Sequence, residues 1–132
     1  PDAAGGAVDH LARALDTRLN KVWSQPVVIL NRTGANEIIG AEYVAKSAPD
    51  GYTLFVGANN ELAIARLINK SIKYSIGDFT PIGMIGSQPM VLVASQKAGV
   101  KTAAEFSALV AQNPGKFSYG SSGVGTALHL AG

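Results

Sequence analysis

Residues 116–131 read Lys116-Phe117-Ser118-Tyr119-Gly120-Ser121-Ser122-Gly123-Val124-Gly125-Thr126-Ala127-Leu128-His129-Leu130-Ala131. Phe117 to Tyr119 is a short strand candidate, a turn of glycines and hydroxyls follows, and a helix begins with Gly125 or Thr126 near its cap. A strand, a bare loop and a helix start leave several N–H groups facing outward with little bulk to keep an anion away. Two uses fit this pattern: a ligand loop, or a tight strand-to-helix connection. The nucleotide motifs are incomplete, because Gly123-x-Gly125 runs on to Leu128 and no P-loop lysine follows. A nucleophile elbow also fails, since Val124 occupies its last glycine position.

Working toward the N-terminus, the same arrangement recurs. Ala4 to Gly6 precede a helix whose apolar positions Val8, Leu11, Ala12, Leu15, Leu19 and Val22 form one face, with Trp23 as core or rim packing at its end. Asp9, in the first turn, suits capping or compensation of the helix dipole better than contact with an anion. Pro26 to Leu30 and Tyr52 to Val56 read as strands, and Asn36 to Ala45 between them as a helix. A third helix carries Leu62, Ile64, Leu67 and Ile68 after the loop Gly57 to Asn60. Ile82 to Gly86 and Met90 to Ala94 are further strand candidates. Thr102-Ala103-Ala104-Glu105 is a capping box that opens a helix ending at Asn113-Pro114-Gly115.

Strands alternating with helices predict an α/β fold with parallel pairing, its ligands at the carboxyl ends of the strands. The loops Ala4 to Gly6, Gly57 to Asn60 and Gly120 to Gly125 would then share one cleft. A boundary near residues 95 to 100 divides the chain into domain 1, residues 1–97, and the start of domain 2, residues 98–132.

Composition narrows the chemistry. With 132 residues, 47% hydrophobic and 15% charged, the chain is long enough for a core and too apolar for disorder. Its net charge is only +2 and its eleven Lys and Arg are scattered, which argues against nucleic acid and an acidic membrane surface as partners. There is no cysteine, and His10 and His129, the two imidazoles, lack metal-ligand spacing, so neither a metal nor a cofactor is expected. His129 suits a half-buried hydrogen-bonding role that steadies the glycine loop, or ligand contact. No apolar run is long enough to span a bilayer, and direct membrane insertion is not expected. A chain that begins at Pro1 and stops just inside a helix reads as part of a longer protein.

Several segments, taken in order, resemble one family. They are Ala4-Gly5-Gly6-x-x-Asp9, Pro26-Val27-Val28 through Asn31-Arg32, Ala48-Pro49-Asp50-Gly51-Tyr52-Thr53-Leu54, Asp78-Phe79-Thr80-Pro81-Ile82, and Tyr119-Gly120-Ser121-Ser122-Gly123-x-Gly125-x-x-x-His129-Leu130-Ala131-Gly132. Together they look like the Bug receptors, the periplasmic substrate-binding proteins of tripartite tricarboxylate transporters. The resemblance implies a bilobed, periplasmic-binding-protein-like receptor, incomplete here, that is not an enzyme and hands a small carboxylate to a membrane permease. It implies ligand contact by Ala4, Gly5 and Gly6, by Ala58, Asn59 and Asn60, and by Ser121, Ser122, Gly123, Gly125 and Thr126, with Asp9 and His129 in support. Asn36-Glu37 and Asn59-Asn60 depart from the small residues usual in the family. An enzyme holding a phosphorylated substrate or nucleotide at the same loops is the alternative, and a signalling module a third; both lean on residues beyond Gly132.

Overall fold

The computed structural model describes residues 3–35 and 37–132. Its first helix, α1, spans Ala7–Trp23 and ends on Ser24, whose left-handed backbone (φ 52°) returns an N–H to the Asn20 carbonyl. Helix α2 spans Ile38–Ala45. A wide π-turn over Asn60–Ile64 tightens into the short helix α3, Ala65–Ile68. Helix α4 covers Ala103–Gln112 and α5 covers Ala127–Ala131.

Helix positions follow the local signals closely. Thr102 accepts the Glu105 N–H at 3.2 Å, while the Glu105 carboxylate reaches back to the Lys101 N–H at 2.7 Å, one residue earlier than a strict capping box places it. The expected helix from Asn36 is present from Ile38, Asn36 itself lying outside the described residues. The third helix departs more: its first turn is π rather than α, which carries Glu61 fully inward.

The α/β layering expected from the apolar runs is not shown among the described residues. Residues 26–30, 52–56, 82–86, 90–94 and 117–119 make no strand among the described residues. Among the described residues, backbone-to-backbone hydrogen bonds outside the helices join residues three or four apart, such as Asn113 N–H to the Val110 carbonyl. A helix closes its bonds within one segment, whereas a strand needs a second segment alongside, and alternation or branching at Cβ cannot supply it. Within these runs Val28 is exposed by 73%, Tyr52 by 93% and Val93 by 82%. Val22 and Trp23 are likewise exposed rather than packed.

The buried apolar residues, Ala41, Ala65 and Tyr74, lie on or near α2 and α3. Helix α2, with Gly40 and Ala41 buried, packs on the π-turn that carries Glu61, and the Tyr74 hydroxyl donates to the Glu61 carbonyl. Phe79 stands between Phe55 and Tyr74, with ring centroids 5.5 and 5.8 Å apart, the second pair edge to face. This cluster borders the loop 57–60, where Gly57 lies close to Phe55 and the Ala58 N–H donates to Glu61 Oε1.

Candidate functional site

The first loop is closed on itself. Gly5, at φ 83°, donates its N–H to Asp9 Oδ2 at 2.8 Å, and Gly6 donates to the Ala3 carbonyl at 2.9 Å. Gly6 is the cap of α1, and Ala4 is exposed. Asp9 is buried and takes two further donors, Arg13 Nε at 3.0 Å and Asn31 Nδ2 at 3.0 Å. The Arg13 guanidinium, then the Gly5 and Asn31 hydrogen bonds, hold its carboxyl well below the usual carboxylate range. The Asp9 carboxylate thus occupies the Gly5 N–H at this helix start.

The second and third loops are joined. Asn60 Oδ1 accepts the Ala127 N–H at 3.0 Å, across 67 residues of sequence. Asn60 and Gly125 line one hollow of about 210 Å³, together with Ala35, Ile38, Ala65, Ile68 and Asn69. Ala58 donates its N–H to Glu61 Oε1 at 2.8 Å, and Asn59 is exposed. A larger hollow, about 650 Å³ and lined by Arg32, Glu42, Tyr43 and Lys46 among others, contains none of the expected site residues.

The third loop is tied internally by hydroxyls and one imidazole. Thr126, buried, donates from Oγ1 to the Gly123 carbonyl at 2.8 Å and accepts the His129 N–H at 3.3 Å. Ser122 Oγ donates to Thr126 Oγ1 at 3.1 Å. Gly125 gives its N–H to His129 Nδ1 at 3.0 Å, which makes that nitrogen the acceptor. The His129 ring stacks on Tyr119 at 6.2 Å, and the Tyr119 hydroxyl donates to the His129 carbonyl. Gly123 and Gly125, at φ 137° and 84°, hold backbone shapes that a side chain resists. The Ser121 and Ser122 N–H groups carry no hydrogen bond among the described residues.

Of the eleven expected ligand residues, Asn60 and Gly125 line one hollow, beside the Asn60 to Ala127 hydrogen bond, whereas among the described residues no hydrogen bond links residues 4–6 to either of these loops. Sequence reasoning missed Glu61, Tyr74 and Asn31. Glu61 carried a signal: it shares a helical stripe with Ala65 and Ile68, an acid where an apolar residue belongs. No group of three or more metal-binding side chains occurs among the described residues, and no described helix is long and apolar enough to cross a membrane.

The family model described as "Tripartite tricarboxylate transporter family receptor" matches residues 11–132. The protein BugT of Bordetella pertussis is 37% identical over 135 residues, covering 98% of this chain and 40% of BugT. A UPF0065 protein of the same organism is 35% identical over 130 residues, covering 98% of the chain and 40% of that protein. Another, from the tcbD-tcbE intergenic region of Pseudomonas sp. (strain P51), is 35% identical over 132 residues, 99% of the chain and 39% of the relative. The chain therefore spans about two fifths of the length of these curated relatives. No solved structure matches it. The family's fold is periplasmic-binding-protein-like and its members are transport receptors, which sets the enzymatic alternative aside. The chain belongs to the tripartite tricarboxylate transporter receptor family.

Proposed function

We propose that this chain is the ligand-facing part of a periplasmic receptor that captures a small carboxylate, a di- or tricarboxylate or an acidic amino acid, and delivers it to a membrane permease. The hydrogen bond from Ala127 N–H to Asn60 Oδ1 supports this most, because it ties the loop 57–60 to the start of α5 beside a hollow that Asn60 and Gly125 both line. That hollow, at about 210 Å³, lies below the range of drug-sized pockets and suits a compact ligand. Gripping is by peptide N–H groups and hydroxyls of the loops 58–60 and 121–126, Ser121 and Ser122 foremost, since their amides carry no internal partner. The loop 4–6 contributes through Ala4 and by a shift of Gly5 and Gly6 from their present acceptors. Neutral dipoles of this kind stabilise a carboxylate without the strong charge of an arginine clamp, which favours rapid exchange. Closure is by a hinge near residues 95 to 100, where Gly99 adopts φ 68° after the turn Gln96–Ala98.

Calorimetric titration of the full-length receptor with di- and tricarboxylates and acidic amino acids tests the proposal. One or more should bind in a saturable, one-to-one manner; absence of heat with every carboxylate would overturn it.

A further inference from the structure

Three helices begin on the same device. Asp9, Glu105 and His129 each stand in the first turn and send the side chain back to the N–H four residues earlier: Asp9 Oδ2 to Gly5 at 2.8 Å, Glu105 Oε2 to Lys101 at 2.7 Å, and His129 Nδ1 to Gly125 at 3.0 Å. In each case that N–H lies one residue ahead of the cap, which is Gly6, Thr102 or Thr126. Gly5 and Gly125 share one backbone shape as well, with φ 83° and 84°. Helices α1 and α4 use an acid as the returning acceptor, whereas α5 uses an imidazole. A ring nitrogen that accepts an N–H carries no proton, so the proton of this ring is on Nε2 and the ring is uncharged. Tyr119 holds the ring in place, stacking on it at 6.2 Å and donating its hydroxyl to the His129 carbonyl at 3.0 Å.

Acid gives way to imidazole at the one of these three starts where a negative charge would reach the candidate site. Gly125 lines the hollow of about 210 Å³ together with Asn60. The charge of Asp9 is balanced by Arg13 at 3.0 Å; the other ion pair among the described residues, Lys46 with Glu42, also lies away from the third loop. A carboxylate at position 129 would therefore stand uncompensated beside the hollow and repel an arriving anion. We infer that His129 is a specificity-determining residue: its Nδ1 secures the third loop by the hydrogen bond that an acid makes at α1 and α4, without placing a negative charge beside the hollow. It is a positioning residue that acts through Gly125. The preference for an anion rests on the proposed function; the hold on Gly125 does not.

The experiment uses the full-length receptor and two substitutions of equal shape, His129→Asn and His129→Asp. Both put an oxygen where Nδ1 stands and so keep an acceptor for the Gly125 N–H, but they differ in charge. A carboxylate in the first turn of a helix is stabilising, so a purely structural role predicts binding no weaker in His129→Asp than in His129→Asn. In calorimetric titrations with citrate, succinate and glutamate, His129→Asn should bind within about threefold of wild type, since it retains the hydrogen bond. His129→Asp should bind roughly tenfold more weakly at low salt, with the gap narrowing as salt is added. Equal affinities in the two variants, or tighter binding by His129→Asp, would overturn the inference. Nitrogen-15 spectra and amide exchange of the ligand-free receptor test the hold on Gly125. Nδ1 of His129 should be unprotonated, and the Gly125 amide should be protected in wild type and lose that protection in His129→Ala. A proton on Nδ1, or Gly125 exchange unchanged by His129→Ala, would overturn the inference, and this arm decides if the Asn and Asp variants fail to fold. Wild type that binds none of the three anions would sink the receptor reading and the anionic half of this inference with it, whereas the ligand-free arm judges the hold on Gly125 separately.

Discussion

Asp9 and Glu61 each accept a backbone N–H from a neighbouring turn, yet their surroundings drive their protons in opposite directions. Asp9 meets Arg13, Gly5 and Asn31, all donors; Glu61 is wholly buried with one N–H on Oε1 and no hydrogen-bond partner on Oε2, and burial pushes its carboxyl up. Because the folded Asp9 carboxyl lies below its ordinary value of 3.8, the stability it contributes is complete above that pH and is lost on further acidification. Acid unfolding of the full-length protein should therefore show wild type and Asp9→Asn converging as pH falls below 4, with wild type the more stable at pH 6. A constant difference would contradict the assignment. Gly57 offers a steric test at the same scale. Gly57→Ala places a methyl 2.7 Å from Glu61 Oε1 and against the Phe55 ring, and should destabilise by about 1–3 kcal/mol in urea unfolding.

At the scale of elements, two threonines start helices in different settings. Thr102 is exposed and caps α4 alone, so Thr102→Ala should cost about 1 kcal/mol. Thr126 is buried and also donates to the Gly123 carbonyl, so Thr126→Ala should cost more, about 2–3 kcal/mol, with faster amide exchange through residues 121–131. Equal losses at the two positions would show that the third loop is not held by its hydroxyl network. Asn60→Ala removes the acceptor of the Ala127 N–H and should weaken carboxylate binding roughly fivefold, the worth of about one neutral hydrogen bond. Helices were legible in the sequence because their signals are local: the periodicity of α1 and the Thr102 and Thr126 caps sit within a few residues of what they determine. The ladders expected for 26–30 and 52–56 depend on distant partners, which no local pattern contains, and they are not formed among the described residues. In the candidate site the glycine loops were visible as composition. The Asn60 bridge was not, since its two ends lie 67 residues apart.

At the scale of the whole molecule, the described chain leaves large apolar side chains in solvent. Trp23, Val28, Tyr52, Ile82, Met84 and the run Val91 to Val93 are all exposed, while Ala41, Ala65 and Tyr74 make up the buried apolar centre. So little burial cannot offset the chain entropy of a domain this size. The isolated 132-residue segment should thus melt without a cooperative transition and bind a hydrophobic dye, whereas a sharp calorimetric peak would refute this. The central claim, that peptide nitrogens and hydroxyls of the loops do the gripping, is tested most directly by a crystal structure of the full-length receptor with its carboxylate bound. The expected result places carboxylate oxygens within about 3 Å of N–H groups from residues 58–60 and 121–126. A carboxylate held instead by a lysine or arginine side chain, away from both loops, would contradict it.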